Sequence, residues 1–189
     1  FWGLVEGEVN IPSGALNYLS FGKGQKNLII IQGLNVRDIK GAGASLALMY
    51  KIFSKNYRVW FFDRRMFVKD GLTNWDLAED IYFAMKELNI ESADLLGVSQ
   101  GGMIAQYIAI NAPEKVNKLV LAVTLSRPNE ILEESINGWI EKAKNKDYKG
   151  IMIDTAEKSY TGKYLEKNRK LYKLLGMLGK NATYERFII

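Results

Sequence analysis

From residue 27 to residue 124 the chain alternates short apolar runs with longer stretches whose apolar residues recur at helical spacing. Asn27 to Ile31 (Asn-Leu-Ile-Ile-Ile) and Tyr57 to Phe62 (Tyr-Arg-Val-Trp-Phe-Phe) are continuous enough to be strands buried on both faces. Ala93 to Leu96 reads as a third, short strand and Lys118 to Thr124 as a fourth buried one. Between them, helices are expected over Ala44 to Ser54, Thr73 to Leu88 and Met103 to Asn111, the last stopped near Ala112-Pro113. In the second of these, Leu77, Ile81, Ala84, Met85 and Leu88 fall on one side. Alternating strand and helix predicts a mainly parallel sheet with helices on both faces. Ahead of it, residues 3–9 and 15–21 read as two short strands separated by Pro12-Ser13-Gly14. Beyond Arg127-Pro128 the strand pattern ends. Residues 129–189 read as helical, with breaks expected near Gly138, Gly150, Gly162 and Gly176. The chain therefore divides into 1–126 and 127–189.

Composition narrows the chemistry. The 189 residues, 48% of them apolar and three of them proline, suit one domain with an insertion and a real core. No apolar run approaches the roughly 18 residues of a membrane-spanning helix. With no cysteine there is no disulfide frame and no thiolate nucleophile, and a cytoplasmic setting is expected. With no histidine, a triad that uses an imidazole base cannot be completed within these residues. The net charge of +5 is unevenly spread: residues 1–139 hold 14 basic and 15 acidic side chains, residues 140–189 hold 12 and 6. Acids alternate with the lysines of that last stretch, so a solvated helical face is expected there and no nucleic-acid partner. The Asp and Glu residues show no metal-site spacing, and neither a metal nor a cofactor is expected. The four tryptophans, Trp2, Trp60, Trp75 and Trp139, are expected in packing positions.

One motif carries chemistry. Gly97-Val98-Ser99-Gln100-Gly101 has the pattern Gly-x-Ser-x-Gly, with a buried strand directly before it and a helix directly after. Such a turn puts serine on a sharp, strained corner, and the glycines at 97 and 101 let neighbouring backbone come close. The amide of Gln100, at the start of the helix, can donate to a developing oxyanion. Gln32-Gly33-Leu34 ends an earlier strand at the same sheet edge, where the Leu34 amide could be a second donor.

Together these stretches resemble the core of the α/β-hydrolase family, in its lipase- and esterase-like branch with a helical cap. The resemblance rests on Ile-Ile-Ile-Gln-Gly-Leu (29–34), Trp-Phe-Phe-Asp-Arg-Arg (60–65), Asp-Leu-Ala-Glu-Asp-Ile (76–81), Asp-Leu-Leu-Gly-Val-Ser-Gln-Gly-Gly-Met-Ile-Ala-Gln (94–106) and Pro-Glu-Lys-Val-Asn-Lys-Leu-Val-Leu-Ala (113–122). It implies that 1–126 is the N-terminal part of the core, and that 127–189 is a cap and the start of the return to the core. It also implies Ser99 as nucleophile, with Leu34 and Gln100 as oxyanion-hole amides. The family usually has His-Gly where this chain has Gln32-Gly33. The implied substrate is a small carboxylic ester with an apolar acyl or alcohol part.

The family's acid and histidine normally follow the cap, and by the resemblance the closing strands of the sheet are absent from these residues. The chain alone is then expected to be inactive, with a C-terminal segment or an oligomer covering the open sheet edge. Glu130, Glu133 and Glu134 are the nearest acids after the fourth strand, where they suit the first turns of a helix better than a triad. The rival reading is a non-catalytic binding or interaction module of the same fold.

Overall fold

A computed structural model describes residues 2–34 and 38–168. Contacts divide the chain into two compact units, Phe1–Ser126 and Arg127–Ile189. The first is built on a six-stranded sheet of β1 (Val5–Ile11), β2 (Gly14–Phe21), β3 (Lys26–Ile31), β4 (Tyr57–Phe62), β5 (Ala93–Val98) and β6 (Val116–Ala122), in the order β1-β2-β4-β3-β5-β6. β1 and β2 form an antiparallel hairpin, and β2 runs antiparallel to β4. β4, β3, β5 and β6 are mutually parallel. Three helices follow the parallel strands: α1 (Gly43–Met49), α2 (Asn74–Glu87) and α3 (Gln100–Asn111).

The apolar runs work because strand side chains alternate between faces. Ile29, Ile31, Trp60, Phe62 and Leu95 point into one core, against Leu77, Ile81 and Met85 of α2 and Ile104 and Ile108 of α3. Leu28, Ile30, Val59 and Phe61 point the other way, into a second core with Phe21 and with Leu46 and Ala47 of α1. The sheet is thus covered on both faces, as the alternating pattern predicts. Thr73 starts α2 through a reciprocal capping box with Asp76. Arg65 closes the strand-to-helix loop on α2. Its guanidinium donates to both Asp80 carboxylate oxygens at 2.8 and 3.0 Å, and Ser13 of the β1–β2 turn donates to the same carboxylate at 2.7 Å.

Three expectations need correction. The helix expected over Ala44 to Ser54 stops at Met49, and a 3₁₀ turn takes Lys51–Phe53, because Tyr50 leaves helical geometry at φ −104° and ψ 18°. The fourth strand is not buried: Leu119, Val120 and Leu121 are 37%, 53% and 43% exposed. Among the described residues it pairs only with β5, so its apolar side chains are less covered than those of the inner strands. Finally, Gly138 does not break a helix, and the break expected near Gly150 falls a few residues before that glycine. In the second unit α4 (Glu130–Lys144) runs through Gly138 and α5 (Tyr148–Ser159) through Gly150, with the break at Asn145–Asp147. A lone glycine costs a helix only about 1 kcal/mol, whereas the side chains of Asn129 and Asp147 cap the two N-termini. Gly162 opens the helical stretch 162–168, and Gly176 lies outside the described residues. Among the described residues, no helix is long and apolar enough to cross a membrane.

Candidate functional site

β5 ends at Val98, and α3 begins at Gln100, so the whole reversal falls on Ser99. Its backbone adopts φ 55° and ψ −122°, which is left-handed for a residue carrying a Cβ. Packing holds it there. A Cβ on Gly97 would come within 2.6 Å of the Gly101 carbonyl oxygen, and a Cβ on Gly101 would overlap the Ile31 carbonyl of β3. The corner can therefore press against both its own helix and the neighbouring strand only with glycine at 97 and 101. Hydrogen bonds pin it further. The Ser99 amide donates to the Ala122 carbonyl at 2.9 Å, and the Thr124 hydroxyl donates to the Ser99 carbonyl at 2.7 Å.

The Ser99 side chain is exposed and makes no capping bond to α3. It stands where the C-terminal ends of β5 and β3 meet: a Cβ placed on Gly33 would lie 3.1 Å from Ser99 Cβ and 3.6 Å from Ser99 Oγ. Leu34 follows directly and is 37% exposed. Gln100 occupies the first position of α3, where backbone N–H groups have no partner inside the helix and the helix dipole favours negative charge. The structure thus brings Ser99, Gly33, Leu34 and Gln100 to one edge of the sheet.

Sequence reasoning missed Arg64. Its guanidinium donates to the Gln32 carbonyl at 2.6 Å and approaches Gln100 Oε1 at 3.4 Å, tying the turn after β3 to the start of α3. No local sequence signal marks it: Arg64 follows β4, and only the parallel register of β4 with β3 brings it beside the turn after β3. Four acids can be placed individually. Buried Asp63 accepts from the amides of Ile39 and Arg64 at 3.2 and 2.9 Å. Buried Asp94 accepts from the Tyr57 hydroxyl at 2.8 Å, a bond that raises the Tyr57 pKa from its ordinary 10.0. Glu130 and Glu133 lie in the first turn of α4. Among the described residues no group of three or more acidic, His or Cys side chains could hold a metal ion.

A family model described as the α/β hydrolase fold matches residues 28–170. Among curated proteins, 3-oxoadipate enol-lactonase 2 of Acinetobacter baylyi is 27% identical over 124 residues, covering 61% of this chain and 44% of that protein. A putative carbamate hydrolase, RutD, of Serratia proteamaculans is 26% identical over 105 residues, or 52% of this chain and 34% of that protein. The matched stretch thus spans less than half the length of either relative. Among solved structures, the enol-lactonase from Burkholderia xenovorans superposes with a TM-score of 0.77 at 18% identity, covering 96% of this chain and 70% of that one. MGS-M2, an α/β hydrolase from a deep-sea metagenome library, gives 0.79 at 20% identity, with 96% and 69% covered. These likenesses show the same fold.

Proposed function

Because the chain belongs to the α/β-hydrolase fold family, we propose that it carries the nucleophile of a serine hydrolase acting on carboxylic esters. The observation that carries this reading is the corner at Ser99. A serine held at φ 55°, exposed and not spent on capping the helix that follows it, has a backbone cost without a structural return. In the proposed reaction Ser99 Oγ attacks the ester carbonyl carbon while a base takes its proton, and the negative charge forms on the carbonyl oxygen. The amides of Leu34 and Gln100 donate to that oxygen, and removing one such donor typically costs about 10²–10³ in turnover. The C–O bond then breaks, the protonated alcohol leaves, and water releases the acyl group from Ser99. A lactone is a cyclic ester and presents the same carbonyl, so the enol-lactonase relative fits within this class.

The 189 residues contain no histidine, so the base and the triad acid belong outside them, and this chain alone is expected not to turn over. Gln32 stands where the family usually has a histidine before Gly33, and Arg64 bonds its carbonyl and reaches Gln100. The test is covalent labelling. When a C-terminal segment bearing the histidine is present, a fluorophosphonate should modify Ser99, as read by peptide mass mapping, and Ser99→Ala should not be modified. Failure of the folded, histidine-bearing protein to take the label overturns the proposal in favour of a non-catalytic module.

A further inference from the structure

A second site lies away from Ser99, on the outer side of α2 and α3. A cavity of about 200 Å³ is lined there by Trp75, Tyr82, Tyr107, Glu79, Glu114 and the buried Ile108, among others. Tyr107 is eight residues along α3 from Ser99, about 12 Å of helix rise, so the pocket does not belong to the serine corner. Trp75 and Tyr107 meet edge to face, with ring centroids 5.8 Å apart and planes at 73°. They are nevertheless 42% and 38% exposed, so the packing role expected for Trp75 is only half filled.

The charges around this pocket run against those of the chain. The protein is net +5, yet the two charged residues that line this pocket, Glu79 and Glu114, are both acids, and α3 carries no charged residue. Aromatic faces carry negative electrostatic potential and attract cations, most strongly those that are weakly hydrated. The chain already uses one of these rings in that way, since Lys86 Nζ lies 5.7 Å from the Tyr82 ring centroid. The volume is below the roughly 300 Å³ at which pockets for drug-sized ligands begin, so it suits a headgroup. Two carboxylates are too few to dehydrate and hold a divalent metal, which needs six or more oxygens for calcium.

From these features we infer that the Trp75–Tyr82–Tyr107 pocket binds a small organic cation of the quaternary ammonium class. In this proposal the aromatic residues meet the methyl groups, and Glu79 and Glu114 balance the charge.

The test compares choline with 3,3-dimethylbutan-1-ol, its neutral isostere, against the intact chain at constant ionic strength. The readout is the Trp75 indole N–H resonance, assigned through Trp75→Phe. Choline should shift it saturably, and the isostere should bind about tenfold more weakly or not at all. Glu79→Gln, which keeps the side-chain volume, should weaken choline about threefold, and Trp75→Ala about tenfold, with the circular dichroism of both unchanged. The inference is overturned if choline does no more than sodium chloride, if the isostere binds equally well, or if Glu79→Gln leaves choline binding unaltered. None of these readouts involves hydrolysis, so they stand or fall apart from Ser99 labelling.

Discussion

The strain at Ser99 makes a quantitative prediction about two substitutions that both remove the hydroxyl. At φ 55° and ψ −122° a residue with a Cβ bears a backbone cost of about 1–3 kcal/mol, whereas glycine bears almost none. Ser99→Ala keeps the Cβ and so keeps the strain. Ser99→Gly removes it, but also loosens the unfolded chain, which offsets about 0.5–1 kcal/mol. Neither loses a capping bond, because the Ser99 side chain makes none, and neither loses much burial, because the side chain is exposed. Ser99→Gly should therefore be more stable than Ser99→Ala by about 0.5–2 kcal/mol. For a chain of this length that is about 1–8 °C in melting temperature, measurable by calorimetry and by urea titration followed by circular dichroism. Both variants should lose fluorophosphonate labelling. If Ser99→Gly is no more stable than Ser99→Ala, the corner is not strained, and the argument that its geometry is maintained for chemistry fails.

Two further outcomes test how the scaffold is held. Arg65→Met leaves the 4%-exposed Asp80 with its Ser13 bond but without the two-pronged guanidinium, and is expected to cost about 3 kcal/mol in urea unfolding. In a double-mutant cycle with Asp80→Asn, strict additivity would refute the coupling. The Thr73 hydroxyl and amide hydrogen bonds hold the Asp76 carboxyl below its ordinary pKa of 3.8. A folded-state pKa below the unfolded one means stability that is fully present above about pH 5 and lost as pH falls through the folded value. The urea midpoint difference between wild type and Asp76→Asn should thus be flat at neutral pH and shrink below pH 4; a difference unchanged at pH 3 would contradict it.

Periodicity alone determined the greater part of the first unit. The runs at 27–31 and 57–62 became β3 and β4, with bounds within one residue, because Leu28 to Ile31 and Val59 to Phe62 are covered on both faces and so are apolar in succession. The capped, amphipathic α2 was equally legible, since Thr73 and Asp76 carry their own start signal. The corner at Ser99 could be read because its glycines are a steric requirement written into five consecutive residues. Tertiary structure decided what depends on neighbours distant in sequence. Lys118 to Thr124 has the composition of an inner strand, and only the sheet order shows that among the described residues β6 has one neighbour and its leucines are exposed. Arg64 gave no local sign of its bond to Gln32, because that bond spans 32 residues and exists only through the parallel register of β3 and β4. Trp75 and Tyr107 were likewise ordinary aromatic residues on separate helices until the packing of α2 on α3 set their rings 5.8 Å apart in a cavity that Glu79 and Glu114 also line. Local sterics and the period of apolar residues are properties of short stretches of chain. Edges, register and pockets arise only when those stretches meet.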